Sequence, residues 1–260
     1  MELQHQTFQM RETKEGRFCP ECSAELSYNY YHYSQLGDYF CPVCGFKRPK
    51  LDYAAKNVSL ADGISFDVLC NDKVIPLSLN YRGFYNIYNV LASIIAFFEC
   101  GNSADDVNKV LDAYKPQIAR MEPFTIGGKT VILNLAKNPA GFNQAISTLI
   151  SDSRTKDVMI AINDGAGDGK DVSWLWDVDF EKLANANVCS ITASGIRKYE
   201  MALRLKYAGL GGVDALDNTR ETLEKVVSGS GEVSYILVNY TAMFGAHDNL
   251  KLMSDKEADQ

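Results

Sequence analysis

Residues Arg17–Pro49 read RFCPECSAELSYNYYHYSQLGDYFCPVCGFKRP, and they hold the one constellation in the chain whose chemistry is nearly unique. Cys19 and Cys22 form one Cys-x-x-Cys knuckle, Cys41 and Cys44 a second, with eighteen residues between the two. Two knuckles at this separation put four thiolates around a tetrahedral cation at roughly 2.3 Å, and zinc is the expected occupant. Two disulfides, or four free thiols, are the alternatives; such pairs outside secreted proteins more often mean metal or redox work. An all-sulfur set leaves no open position for water or substrate, so the metal is expected to be structural and to supply the folding free energy of a tyrosine-rich segment with little core of its own.

The 260 residues are enough for about two domains, and 46% apolar with 23% charged residues is ordinary globular composition. The apolar run within Val90–Phe98 is too short to span a bilayer. The first sixteen residues, MELQHQTFQMRETKEG, have no apolar secretory core, so a cytoplasmic protein with reduced thiols is expected. A net charge of −7 argues against a general binder of nucleic-acid backbones. Cys70, Cys100 and Cys189 have no partner at ligand spacing and read as core thiols.

Leu3, His5, Thr7 and Gln9 alternate as in a strand. After the ribbon, Gly63–Leu69 and Lys73–Leu79 read as strands turned at Asn71-Asp72. Tyr85–Cys100, apolar on most faces and stopped by Gly101, reads as a buried helix. Ser103, with Asp106 three residues on, caps a helix carrying Val107, Val110, Leu111 and Tyr114 on one face. Lys115-Pro116 ends that unit, which divides the chain into residues 1–115 and 116–260. Thereafter strand and helix alternate: strands at Thr130–Leu135, Val158–Ile162, Val188–Thr192 and Val233–Asn239, with helices from Pro139, Asp179, Gly195, Thr219 and Thr241. Such units build a doubly wound parallel sheet, an α/β domain of the Rossmann type, with ligands at the carboxyl ends of the strands. Three loops lie there: Lys137–Gly141, Asn163–Asp171 and Asn239–Thr241.

The second of these, NDGAGDGKD, carries Asp164, Asp168 and Asp171 but matches neither an EF-hand nor a dinucleotide turn. Its aspartates either cap the backbone of a long connection or present a carboxylate at the sheet edge. Trp174 and Trp176, the two tryptophans, follow and either pin the loop or form a contact surface. Arg120 and Glu122 precede the first strand of this half, and Lys137 and Asn138 follow it at a helix start. Together they read either as an anion site or as surface charge beside a capped helix. Asn86 and Asn89 are polar intrusions in an apolar helix, so their amides bridge to backbone or meet a ligand.

In order, YNYYHYSQLGDYFCPVCGFKRP, GFYNIYNVLA, RMEPF, LNLAKNPAGFN and NDGAGDGKDVSWLWDVDFE resemble the MurT family, the Mur-ligase-like subunits of lipid II isoglutaminyl synthase, along essentially the whole chain. The resemblance implies the end of a Mur-ligase-type central domain with an inserted four-cysteine zinc ribbon at 17–49, followed by a Rossmann-like C-terminal domain that binds a GatD-type class I glutaminase. It implies amidation of the α-carboxyl of D-isoglutamate in the lipid II stem peptide, in the cytoplasm at the inner face of the membrane. ATP with Mg2+ activates that carboxyl as an acyl phosphate, and ammonia released by the glutaminase attacks it. Asn86, Asn89, Arg120, Lys137 and Asn138 would line the nucleotide cleft, and Asp171 matches the family carboxylate that completes the partner's Cys–His pair in trans. One departure stands out. Mur-type ligases have a Gly-x-x-Gly-Lys-Thr phosphate loop, which these 260 residues lack; a truncated chain, inactive in ligation on its own, is therefore expected. A non-catalytic zinc-ribbon interaction module, binding nucleic acid or another partner, and a stand-alone nucleotide-binding Rossmann enzyme are the competing readings.

Overall fold

The computed structural model describes residues 16–33, 36–60, 63–70, 73–79, 83–103, 107–113 and 118–258. The alternation at Leu3–Gln9, the Asn71-Asp72 turn, Asp106, Tyr114 and Lys115-Pro116 lie outside the described residues. The chain divides into two compact units, Met1–Lys115 and Pro116–Gln260.

In the first unit, strands β1 (Ser27–Tyr33) and β2 (Leu36–Phe40) pair antiparallel between the cysteine knuckles. The chain then forms an antiparallel sheet of β3 (Tyr53–Ser59), β4 (Ile64–Cys70) and β5 (Lys73–Leu79), in that order. The period-two pattern of β4 turns Ile64, Phe66 and Val68 to one face, where they meet Ile87 and Ile94 of helix α1 (Tyr85–Glu99). The sequence pattern predicts β4 and β5 but not β3. Asn57 there adopts a positive φ of 51°, and the pairing shifts between Lys56 and Ser59, so the alternation is broken where it would have been read. α1 stops where expected, with Gly101 left-handed at φ 84° and its N–H on the Phe98 carbonyl. Its expected burial needs correction: only Asn86, Ile87 and Ile94 are buried, and Ala92, Ser93 and Ala96 are exposed. Helix α2 (Val107–Ala113) buries Val107 but leaves Val110 in solvent.

The second unit is built on a six-stranded sheet. Its strands are β6 (Glu122–Ile126), β7 (Lys129–Leu135), β8 (Lys156–Ala161), β9 (Val188–Ser194), β10 (Asp214–Ala215) and β11 (Val233–Val238), ordered β10-β9-β8-β11-β7-β6. All neighbours are parallel except β6, which pairs antiparallel with β7. That edge strand is not among the sequence expectations: EPFTI alternates weakly, and its Gly127-Gly128 turn, with φ of 62° and 71°, is the two-residue hairpin signal that gives it away. β8 is buried along its whole length because both sheet faces are covered. Val158 and Ile160 join Phe142, Ile146 and Leu149 of α3 (Pro139–Ser151) and Met201 and Leu205 of α4 (Lys198–Tyr207). Met159 and Ala161 face the other way, onto α5 (Arg220–Val227) and α6 (Tyr240–Ala258). Each fully buried aliphatic side chain contributes about 1.5–3 kcal/mol.

Two expectations fail for local reasons. The helix expected from Asp179 is a 3-10 helix, Phe180–Asn185, preceded by another at Ser173–Asp177 that carries both tryptophans. The isolated cysteines are not core thiols: Cys70 is half-buried, Cys100 follows the end of α1, and Cys189 lies on the part of β9 that is covered only from Ile191 onward.

At the amino end of the sheet, Asp157 is fully buried and accepts from Lys129 Nζ (2.7 Å), Ser190 Oγ (2.6 Å) and the Gly231 N–H (2.7 Å). Burial pushes its carboxyl up, but the Lys129 ammonium, Ser190 and Gly231 together hold it below its ordinary value. Asp157→Ala strands Lys129 and should destabilise the unit by about 3–5 kcal/mol in urea unfolding. A depressed folded pKa places this contribution fully above the unfolded value near 4 and removes it as the pH falls through the folded value, so the gap between wild type and Asp157→Ala should close in acid.

Candidate functional site

Each cysteine knuckle is built the same way. The N–H of Ser23 returns to the Cys19 carbonyl (2.9 Å) and that of Gly45 to the Cys41 carbonyl (3.2 Å). The backbone N–H groups of Cys19 and Cys41 donate to the carbonyls of Ala24 and Phe46. Ser23 and Gly45 close the turns at φ of 60° and 79°. The two turns bring the four Sγ atoms within 4.8 Å of one another, with Cys19–Cys44 and Cys22–Cys41 each at 3.5 Å. A tetrahedral ion with bonds of about 2.3 Å would set its sulfurs roughly 3.8 Å apart, so the donor set fits with little adjustment. The Cys44 N–H, 3.5 Å from Cys41 Sγ, draws that thiol down, while the crowded sulfurs push the thiols of Cys22 and Cys44 up, as expected of four sulfurs that share one proton-poor centre. Cys19 and Cys41 are buried, Cys22 and Cys44 exposed.

The loop after β8 leaves the sheet on two interlocked amides. Asn239, buried at the end of β11, accepts the Asn163 N–H (3.0 Å) and donates Nδ2 to the Asn163 carbonyl (2.7 Å). Asn163 Oδ1 in turn accepts the N–H of Ile196 (2.9 Å). Asp168 accepts the Thr241 N–H (3.1 Å) and its hydroxyl, fastening the loop to the start of α6. Asp164 is held by Arg197 Nε (3.2 Å) and Nη2 (3.1 Å). Gly167 lies so close to Tyr240 that an added Cβ would come within 2.8 Å of the ring.

Of the three aspartates, two are thus consumed internally. Asp171 is exposed, and its Oδ1 accepts the Ser173 N–H (2.8 Å), which caps the following 3-10 helix and holds the carboxyl below its ordinary value. The capping reading and the presented-carboxylate reading therefore meet in one residue: one oxygen is fixed by backbone, and the ionised group faces solvent. Sequence reasoning does not single out Arg197, and it names Asn163, Asn239 and Thr241 only as loop ends. The available signal is an asparagine directly after each of two buried strands.

Arg120 is half-buried between two left-handed non-glycine residues, Ala119 (φ 57°) and Met121 (φ 53°). The buried side chain of Asn134 accepts the Met121 N–H (3.2 Å), and Glu122 accepts that of Ala119 (2.7 Å). Lys137 is exposed, and Asn138 is the N-cap of α3, its Oδ1 on the Gly141 N–H (2.8 Å). In the first unit, Asn86 is buried and receives Nδ2 of the exposed Asn89 (3.1 Å), so the two amides are joined rather than independent.

A parallel α/β sheet with polar loops at its carboxyl edge, in a chain that also carries a sheet-and-helix unit, has the Mur-ligase-like fold. A pseudomurein peptide ligase type C from Methanothermus fervidus superposes with a TM-score of 0.71 over 91% of this chain and 49% of its own, at 20% identity. The relation then narrows. Residues 135–243 match the MurT ligase C-terminal family, so this part of the chain is MurT-related. It is 36% identical over 77% of its length to the lipid II isoglutaminyl synthase (glutamine-hydrolyzing) subunit MurT of Staphylococcus aureus, and 34% identical over 88% to that of Streptococcus pneumoniae. The chain spans about half the length of these relatives, 45% and 51%.

The four sulfurs are expected to take one zinc ion per chain, measurable by elemental analysis. Cys41→Ser should abolish stoichiometric zinc and lose protection from hydrogen exchange in residues 17–49, while the second unit keeps its unfolding midpoint.

Proposed function

We propose that this chain acts as the MurT-type subunit of a lipid II isoglutaminyl synthase, a carbon–nitrogen ligase of peptidoglycan synthesis that takes ammonia from glutamine. The observation that carries the reading is Asp171: an exposed, ionised carboxylate, fixed by the Ser173 N–H, within the residues that match the MurT ligase C-terminal family. The names of the relatives, each a subunit of a glutamine-hydrolysing enzyme, supply the partner class.

On this reading the second unit is the Rossmann-like C-terminal domain and docks a GatD-type class I glutaminase. Asp171 orients the histidine of that subunit's Cys–His pair and stabilises its imidazolium, so that the cysteine is deprotonated when glutamine arrives. The Ser173 N–H keeps the carboxylate charged and pointed. Arg120, Lys137 and Asn138 in the second unit, and Asn86 and Asn89 in the first, are the candidates for nucleotide contacts; ATP with Mg2+ would supply activation of the stem-peptide carboxylate before ammonia attacks. No Gly-x-x-Gly-Lys-Thr loop lies within these 260 residues, so the cradle for β- and γ-phosphates is not assigned to them. The four-cysteine ribbon braces the first unit around a zinc ion and takes no part in the chemistry. Among the described residues no helix is long and apolar enough to cross a membrane; we assign the work to the cytoplasmic face, where a lipid-linked substrate presents its stem peptide.

The test is glutamine hydrolysis by the assembled complex. Asp171→Asn should keep the complex together and lower hydrolysis by roughly three to four orders of magnitude, the cost of losing the charge that fixes the imidazole. Hydrolysis at the wild-type rate would remove the reading.

A further inference from the structure

The second unit keeps an apolar surface that its own core leaves unused. Tyr199, Leu203 and Tyr207 are exposed and recur every four residues, one stripe along α4, and the exposed Ile196 lies in the turn just before it. Met201 and Leu205 take the opposite side into the core. Tyr199 is 69% exposed and Tyr207 71%, so most of each residue faces solvent. Trp176, 53% exposed, meets Tyr207 edge-on at 5.5 Å and widens the stripe.

These rings are nonetheless held in place. The buried Arg204 lies 5.4 Å beneath Trp176. It donates to the carbonyls of Leu175 (3.1 Å) and Val178 (2.6 Å) and pairs with Glu181 (2.9 Å). A surface tryptophan clamped on a buried arginine loses little freedom on contact, and tryptophan and tyrosine dominate the energetic centres of interfaces.

The stripe is continuous with the Asp171 loop. Ile196 donates its N–H to Asn163, and Arg197 Nη2 reaches the carbonyl of Lys170, the residue before Asp171. From there α4 runs ten residues, about 15 Å, to Tyr207. On the other flank of the loop Tyr240, against Gly167, and Phe244 are also exposed. Seven of the ten large apolar side chains exposed among the described residues of this unit thus belong to α4, to the Trp176 ring packed on its end, or to the two flanks of the loop. Scattered exposure needs no explanation, but a concentration of this kind marks a contact surface.

We propose that the stripe from the Asp171 loop along α4 to Tyr207 and Trp176 is the footprint of the glutamine-hydrolysing partner subunit, with Trp176 and Tyr207 as its anchors and Asp171 at its edge. This rests on the reading of Asp171 given above. A protein that brings an imidazole to Asp171 has to cover the ground beside it, and that ground is an apolar helix face. The partner therefore offers an apolar groove with its catalytic histidine at one end.

The test uses the full chain with its co-expressed glutamine-hydrolysing subunit, reading the dissociation constant by calorimetry and hydrolysis at saturating partner. Leu203→Glu and Tyr207→Glu change exposed positions and should leave the melting temperature unaltered. Each should weaken binding about tenfold or more, with hydrolysis recovered at excess partner. Ile150→Glu, exposed at the end of α3, is the control and should bind as wild type. Asp171→Asn should do the reverse, binding normally and hydrolysing poorly. Wild-type affinity in both stripe variants, with hydrolysis lost in Asp171→Asn, overturns the footprint and leaves the Asp171 reading standing. Lost affinity in the stripe variants with full hydrolysis in Asp171→Asn keeps the footprint and removes Asp171 from the chemistry. Self-association of the chain alone that Leu203→Glu disperses would make the stripe a contact between two copies, and no binding of the glutaminase by wild type would sink both ideas.

Discussion

Two side-chain amides close the carboxyl end of the sheet, and the geometry of the candidate site follows from them. Asn163 and Asn239 follow adjacent parallel strands, and the Asn239 side chain satisfies both the N–H and the carbonyl of Asn163. A buried amide left unpaired would cost about 1–3 kcal/mol, whereas here the buried Asn239 amide is paired through both its oxygen and its nitrogen, with the backbone groups that the end of β8 would otherwise strand. The same two residues start the next elements. Asn163 receives the N–H of Ile196 ahead of α4, and the Asn239 carbonyl receives that of Met243 in the first turn of α6. The loop therefore departs from a point where two strands and two helices are already registered against one another. Gly195 belongs to the same junction: it adopts φ 85°, and a Cβ there would lie 2.4 Å from the Ile162 carbonyl oxygen, so no side chain can occupy the position without moving the strand.

Within that frame the three aspartates divide their work by what surrounds each. Asp168 and Asp164 hold the loop to α6 and α4, and their charges are answered by Thr241 and Arg197. Asp171 has a backbone donor on one side and solvent on the other. A carboxylate tethered by a single N–H keeps its direction and still has lone pairs to offer. The ribbon is the opposite case, since its four sulfurs point at one another and leave nothing for a substrate.

The strand–helix alternation of the second unit is legible because its strands are short apolar runs and its helices carry breakers in the right places. Pro139 begins α3, Thr219 caps α5, and Gly209 follows α4. The cysteine spacing is legible because it is independent of the surroundings. What escapes are elements whose signal is spread over distance: β3 with its bulge, and β6, which is a strand only because Gly127-Gly128 folds it back on β7. The site is half legible. Residue type and position point to Arg120 and Asn138, and the family resemblance alone separates Asp171 from Asp164 and Asp168, but no pattern along the chain says that Arg197 reaches Asp164 or that Asn134 accepts from Met121, because these contacts join residues 33 and 13 positions apart. The 3-10 helix Phe180–Asn185 passes for α-helix in the sequence, since both periods bring apolar residues back after three positions.

Ala119 and Met121 hold non-glycine backbone in the left-handed region on either side of Arg120, at about 1–2 kcal/mol each. Glycine would relieve both, yet it would turn the mounting of the guanidinium into a swivel, and the donors aimed by Glu122 and Asn134 would have nothing stiff to grip. The chain thus accepts a locally strained backbone at two positions, and the Cα from which Arg120 departs is fixed in return. A bracket of this kind trades the comfort of two residues for a firm mounting of the one between them.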